Sequence, residues 1–194
     1  MGHSALAAQF MMHLRYNVAQ SLDGFIAPPD ESTSWIVPDE SIDFDALHAS
    51  FDYYVMGRRT WDIMRALEPN PCLNKPPGSI IVISRILRQE EHPHIAILRE
   101  GYIEYIRRLK AKGGKGIWLM GGGWLAAECL EAKLLDGLDV AVMPVLLRDG
   151  FKVVDSGLSG WYNLKLQSLE KLDGSGILMA KYRVEYDHEQ IASS

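Results

Sequence analysis

The sequence has few cysteines, no excess of positive charge and no long apolar run. Its 194 residues include only Cys72 and Cys129, too few for a disulfide framework or a cysteine-rich zinc site. The 25 acidic residues outnumber the 20 lysines and arginines, giving a formal net charge of −5, which argues against nucleic acid as the main partner. No stretch is apolar over the length needed to span a bilayer. We therefore expect a cytoplasmic protein with reduced thiols and no membrane partner.

The composition is that of a folded domain, with 47% hydrophobic and 23% charged residues. A chain of this length favours one globular domain over two. We predict a flexible extension or tag remnant over residues 1–12, a single domain over 13–187 and a C-terminal tail over 188–194.

Apolar runs rich in β-branched residues alternate with amphipathic stretches, which is typical of an α/β sheet flanked by helices. The predicted strands lie near Leu14–Gln20, Tyr53–Met56, Ser79–Ser84, Ile95–Leu98, Gly116–Met120 and Leu138–Leu147. The predicted helices are Ser41–Phe51, Thr60–Ala66, Tyr102–Ala111 and Trp124–Leu134. After Gly150, the runs Tyr162–Glu170 and Ile177–Glu185 alternate around a glycine-rich turn and predict an antiparallel hairpin. We expect a single mixed sheet.

Two glycine sites each follow a predicted strand and open a predicted helix, the geometry in which free backbone N–H groups meet an anion. At the first site, Gly57 allows a ligand to approach the backbone, Thr60 is expected to cap the helix, and Arg58 and Arg59 suit bidentate phosphate recognition. The alternative interpretation is a plain strand-to-helix turn with solvated arginines.

The second site contains three consecutive glycines, Gly121, Gly122 and Gly123. The spacing Gly121-x-Gly123-x-x-Ala126 matches a dinucleotide fingerprint, which is a weak signal by itself. A Rossmann domain would rarely begin two-thirds of the way along a chain, and Asp139 lies at the wrong end of the next predicted strand to serve as its ribose-binding acid. We keep nucleotide binding and set the Rossmann topology aside.

A third site is the Ser21-Leu22-Asp23-Gly24 stretch at the end of the first predicted strand. Asp-Gly is by default a turn. If the two glycine sites face one cleft, however, Asp23 becomes an ionisable group at its rim.

Together these motifs resemble the dihydrofolate reductase superfamily, and within it the reductase domain of riboflavin biosynthesis and its stand-alone relatives. The resemblance rests on Ala-Gln-Ser-Leu-Asp-Gly, Met-Gly-Arg-Arg-Thr-Trp, Ile-Val-Ile-Ser-Arg and Met-Gly-Gly-Gly in that order, and it spans about residues 13–186. It implies a three-layer α/β fold with a mixed, mostly parallel sheet of about eight strands, helices on both faces and NADPH across the strand ends. It also suggests a homodimer.

The resemblance implies cofactor contacts position by position. Ala19 would lie beside the nicotinamide, and Ser84 and Arg85 would flank the adenosine end. The phosphates, including the 2′-phosphate of NADPH, would be held by Gly57, Arg58, Arg59 and Thr60. The pyrophosphate and nicotinamide half would be cradled by Gly121, Gly122, Gly123, Trp124 and Leu125.

The sequence departs from the family where the substrate would bind. Dihydrofolate reductases carry a substrate-binding acid on the first helix, for which Asp43 or Asp45 could serve, although each also suits a solvated first-turn carboxylate. For the proton needed by the reaction, Asp23 is our first candidate and Asp43 our second, and ordered water could replace both. Three aromatic residues are expected either to line a substrate pocket or to pack in the core: Trp35, Phe51 and Trp61.

The sequence therefore predicts an NADPH-dependent reductase that transfers a hydride to a C=N or C=O group of a small pterin-like or other heterocyclic substrate. The alternative is a non-catalytic nucleotide-binding module of the same fold. His92 and His94 have no partner at metal-ligand spacing, so we expect no metal site.

Overall fold

The computed structural model describes residues 11–72, 74–155 and 160–186. Their strands are β1 Leu14–Ser21, β2 Phe25–Ala27, β3 Tyr53–Gly57, β4 Ile80–Ile83, β5 Ala96–Leu98, β6 Ile117–Gly121, β7 Gly137–Met143, β8 Phe151–Lys152, β9 Asn163–Lys171 and β10 Leu178–Glu185. Their helices are α1 Phe44–Ala49, α2 Arg58–Met64, α3 Tyr102–Lys110 and α4 Gly123–Glu131, with a short 3-10 helix at Gln89–Glu91.

Eight of the strands form one sheet in the order β5-β4-β3-β6-β1-β7-β10-β9. The strands from β5 to β7 are mutually parallel, and β10 runs antiparallel to both β7 and β9. This confirms the predicted mixed, mostly parallel sheet with a C-terminal hairpin. A separate two-stranded ribbon, in which β2 pairs antiparallel with β8, was not predicted.

Side-chain alternation gives the sheet two apolar faces, and each is covered by helices. Val55 of β3 and Leu119 of β6 share one core cluster with Ile106 of α3 and Leu125 of α4. The neighbouring residues on the same strands point to the other face, where a second cluster includes Trp61 of α2. As a result, α2 and α4 follow adjacent strands but pack on opposite faces of the sheet.

Several element boundaries differ from the predicted ones. Helix α1 is shorter than the predicted Ser41–Phe51 because Asp43 caps it at its start. Strand β7 ends at Met143 rather than Leu147, since Pro144 has no N–H to donate to a ladder. Helix α2 begins at Arg58 with Gly57 as its N-cap, so the cap predicted for Thr60 is wrong.

The domain begins earlier than predicted. Met12 is buried, and its N–H donates to the Lys110 carbonyl at 2.9 Å, so it belongs to the folded part rather than to an extension. Residues 1–10 of the predicted extension and the predicted tail, 188–194, lie outside the described residues. None of the helices in the described ranges has the length and apolar character to cross a membrane.

Candidate functional site

The carboxyl ends of β4, β3, β6 and β1 lie next to one another along one edge of the sheet. Because α2 leaves β3 toward one face and α4 leaves β6 toward the other, a crevice opens between the ends of these two strands. In open α/β sheets, such a change of direction is where ligands bind. The predicted glycine sites occupy this crevice.

The two glycine turns approach each other closely. A Cβ atom on Gly57 would lie 3.9 Å from the Gly121 carbonyl oxygen and 4.0 Å from the Gly122 nitrogen. A Cβ atom on Gly121, whose φ is +139°, would lie 3.2 Å from the Thr60 hydroxyl oxygen. Segments far apart in sequence thus meet at this edge of the sheet, where Gly57 and Gly122 are partly exposed and Gly121 is buried.

The start of α4 presents backbone groups rather than charged side chains. Its N-cap, Gly122, makes no side-chain capping hydrogen bond, so within the described chain the first-turn N–H groups lack such a partner. Leu125 is buried in the core and can offer only its backbone, whereas Trp124 is 51% exposed. Gly123 is required for a different reason, which is packing. A Cβ atom added at this position would lie 2.2 Å from the Lys152 carbonyl oxygen. Packing against the chain after β8 requires this glycine.

The two arginines at the start of α2 both have carboxylate partners. Arg58 donates to Asp62 at 2.5 Å within the helix. Arg59 pairs with Glu31 at 3.1 Å, and its guanidinium carbon lies 5.1 Å from the centre of the Phe151 ring. The (i, i+4) spacing of Arg58 and Asp62 is visible in the sequence. The Glu31 partner has no comparable sequence signal, and our sequence reasoning missed both.

The predicted adenosine side contains one structural and one accessible residue. Ser84 is buried, and its hydroxyl oxygen accepts hydrogen bonds from the N–H groups of Ile86 and Leu87, so it shapes the turn after β4. Arg85 is exposed. Burial is the main reason that the pKa of Tyr102 is raised to about 12, and the charge of Glu128, which accepts a hydrogen bond from the Tyr102 hydroxyl at 3.3 Å, adds to the shift. The Tyr102 ring of α3 lies 5.9 Å from the Trp124 ring of α4.

The end of β1 holds Ala19 and Asp23. Ala19 lies beyond Tyr16, the last β1 residue in register with β6, at the level where β6 turns toward α4. Asp23 accepts hydrogen bonds from the Ser21 hydroxyl at 2.6 Å and from the N–H groups of Leu147 and Arg148 at 3.1 and 2.8 Å. The Ser21 bond is the main reason that the pKa of Asp23 is lowered. This carboxylate fastens a loop and is poorly suited to donate a proton at neutral pH.

The second candidate for the proton donor, Asp43, also accepts a structural hydrogen bond. Asp43 is exposed, and its carboxylate accepts a hydrogen bond from the Ala46 N–H at 2.8 Å, which caps α1. Asp45 is an exposed acid in the first turn of the same helix. Both carboxylates therefore match the alternative interpretation of solvated residues that complement the helix dipole.

Two of the three predicted pocket aromatics are core residues. Phe51 is 6% exposed and Trp61 is 8% exposed, both within the apolar cluster beneath α1 and α2. The Phe51 ring packs 5.2 Å from that of Trp118. Both residues therefore match the alternative of core packing, because most of their surface is in contact with neighbouring side chains. Trp35 is partly buried in the loop before α1, and its pocket role stays a prediction.

The remaining chemistry of the described residues is sparse. Cys72 and Cys129 are free and buried. Within the described ranges, no three His, Cys, Asp or Glu side chains are grouped so as to hold a metal ion.

Comparison with known proteins relates most of the chain to a single family. The family described as RibD C-terminal domain matches residues 12–178. Among curated proteins, the uncharacterized protein YwjB of Bacillus subtilis (strain 168) is 28% identical over 136 residues, covering 69% of this chain and 77% of that protein. The riboflavin biosynthesis protein RibD of Corynebacterium ammoniagenes is 26% identical over 161 residues, covering 73% of this chain and 46% of RibD. The match thus spans about half of that RibD.

Solved structures show the same fold. A protein of Shewanella sp. PV-4 named for riboflavin biosynthesis superimposes with a TM-score of 0.74 at 23% identity, covering 90% of this chain and 99% of that one. Dihydrofolate reductase from Enterococcus faecalis, solved with NADP(H), gives a TM-score of 0.61 at 17% identity, covering 90% and 96%. At these identities the likeness concerns the fold, which is dihydrofolate-reductase-like.

Proposed function

The chain belongs to the RibD C-terminal domain family, and on this premise we propose that it binds NADPH in the crevice between β3 and β6 and reduces a small heterocyclic substrate. Reductases are found among proteins of this family and fold. The finer proposal, hydride transfer to a C=N or C=O group of a pterin-like or related ring, is ours.

One observation carries the proposal: the backbone of Gly57 meets that of the Gly121–Gly122 pair at the point where α2 and α4 diverge, with the Thr60 hydroxyl beside Gly121. Nothing lies within 4 Å of the position that a Cβ on Gly122 would take. Bare backbone beside guanidinium groups fits a dinucleotide, because its phosphates accept both backbone N–H bonds and bidentate arginine bonds. Such a cofactor also lies bound in the related dihydrofolate reductase. The residues of this site therefore fit NADPH.

The side chains present indicate which part of the reaction the cofactor would perform and which part the protein would perform. When bound, NADPH would supply a hydride to the carbon of the C=N or C=O bond, and a proton would add to the nitrogen or oxygen. The protein residues would hold the two reactants at reacting distance, and Ala19 and Trp124 are the residues that we assign to the nicotinamide half of the cofactor. Since Asp23 and Asp43 accept structural hydrogen bonds, the proton comes from water in this proposal.

A fluorescence titration tests cofactor binding. Trp124 is half-exposed at the crevice, so NADPH should quench tryptophan emission. We expect NADPH to bind at least tenfold more tightly than NADH, a difference of about 1.4 kcal/mol. That margin should be lost in Arg58→Ala and Arg59→Ala and retained in Arg107→Ala, which removes an exposed charge from α3. Absence of binding by either cofactor would overturn the proposal.

A second candidate is a non-catalytic nucleotide-binding module of the same fold. The observation that favours it is the engagement of both candidate acids, Asp23 and Asp43, in hydrogen bonds to backbone. Consumption of NADPH in the presence of pterins and aminopyrimidines separates the two functions. Binding without consumption across that set would favour the module.

We also propose that the protein forms a homodimer through β9. Leu164, Leu166 and Leu169 are 42%, 50% and 59% exposed, and their β10 partners Val184, Tyr182 and Ala180 place all three on the core-side face of the sheet. An exposed apolar edge strand is normally covered in a native protein. Light scattering should show a dimer that Leu166→Arg converts to a monomer, whereas Ser168→Arg, on the opposite face, should leave it intact. A monomeric wild type would contradict this proposal.

A cytoplasmic location stays a prediction.

A further inference from the structure

Arg59 is the point at which three segments of the chain meet. It lies on α2, its guanidinium pairs with Glu31 in the turn after β2, and it rests over the Phe151 ring of β8. The side chains of Arg59 and Glu31 are 58% and 36% exposed, so a ligand can reach the pair from solvent.

The two arginine pairs differ in how firmly they are fixed. Arg58 and Asp62 belong to one helix at (i, i+4) spacing, so the same helix places both partners side by side. Glu31 reaches Arg59 from a separate turn, closed by a hydrogen bond from the Glu31 N–H to the Pro28 carbonyl at 3.0 Å. Glu31 is therefore the carboxylate whose position depends on the loop, and the one that a ligand anion can displace.

These residues line a shallow depression of about 430 Å³, together with Ser32, Thr33 and part of α2. The formal charges of its two guanidiniums and two carboxylates sum to zero. A phosphate dianion at Arg59 must displace Glu31 or lie beside it, and like charges at close range repel. A neutral ribose hydroxyl can instead donate a hydrogen bond to the same carboxylate, the contact by which acids select NAD in other nucleotide sites.

We propose that Glu31 sets the choice between a 2′-phosphorylated and an unphosphorylated nicotinamide cofactor, by competing with the 2′-phosphate for Arg59. This inference rests on the proposed function and deepens it. Glu31 narrows the preference for NADPH that the two arginines create, and its removal widens that preference.

The test uses two probes that differ only in the group at issue, adenosine 2′,5′-bisphosphate and adenosine 5′-monophosphate, alongside NADPH and NADH. Glu31→Gln should tighten the bisphosphate and NADPH about tenfold relative to the unphosphorylated pair. The matched control is Glu104→Gln, which removes the same charge from an exposed pair with Arg107 on α3 and should leave the ratio unchanged. Because Glu31 has a φ of 59°, Glu31→Asn provides a second neutral variant suited to that conformation.

The outcomes separate this inference from the proposed function. A ratio that rises in both Glu31 variants and stays constant in Glu104→Gln supports the role of Glu31. An unchanged ratio in folded Glu31 variants that still bind NADPH overturns that role and leaves the proposed function standing. If the wild type binds none of the four compounds, both fall.

Discussion

The turn after β3 and the turn after β6 lie side by side but present different chemistry to the crevice. The first carries two arginines held by Glu31 and Asp62. The second carries three glycines and no charged side chain before α4. Backbone N–H groups position any phosphate alike, whereas guanidiniums and their carboxylate partners distinguish one phosphate pattern from another. In the function that we propose, the turn after β6 positions the cofactor phosphates and the turn after β3 selects among them.

The glycines of the two turns also differ in what they tolerate, and this gives the largest predicted effect. Gly123→Ala would place a methyl group 2.2 Å from the Lys152 carbonyl oxygen, so we expect a loss of about 1–3 kcal/mol from overpacking. Gly57→Ala is the matched control, because its Cβ atom has neighbours only at ordinary contact distance and its φ is −76°. Urea unfolding measures both. Equal stability of the two variants would show that Gly123 is not fixed by packing.

A third helix start sharpens the contrast, since α1 has the side-chain cap that α2 and α4 lack. Asp43→Ala removes the acceptor for the Ala46 N–H and should cost about 1 kcal/mol in thermal unfolding. The affinity for NADPH should not change, and turnover of any substrate found should persist. A folded Asp43→Ala variant that lost turnover would contradict this prediction and indicate a role for Asp43 in the reaction.

The end of β1 gives the smallest predicted effect, which depends on pH. The pKa of Asp23 is lowered from 3.8 by its hydrogen bonds, so its stabilising contribution is complete above that pH and is lost as the pH falls through the lower folded-state value. Asp23→Asn should be less stable than the wild type at neutral pH, and the two unfolding curves should converge in acid. A constant difference at all pH values would contradict this role.

The motif residues of the crevice could be predicted from the sequence, but their partners on distant segments could not. Gly57 and Gly121 lie where an apolar strand meets a helix. The strand and the helix are next to each other in the sequence, so the pattern can be recognised from a short segment. The Arg59–Glu31 pair, the β2–β8 ribbon and the contact that fixes Gly123 join segments whose separation leaves no periodic signal. The same reasoning applies to the aromatic residues. Phe51 and Trp61 are residue types that suit either a pocket or a core, and only the packing against the sheet shows that they are buried.

The sequence by itself determined the α/β class, the alternation of strands and helices along the chain, the final hairpin and the glycine turns, because each depends on local periodicity and backbone freedom. The tertiary structure alone decided that α2 and α4 pack on opposite faces, that the two turns share one crevice, and that Asp23 and Asp43 serve the backbone. Hydrogen bonds and ion pairs act over a few ångströms. Which groups come within that range is set by how the elements pack, and a linear pattern does not record it.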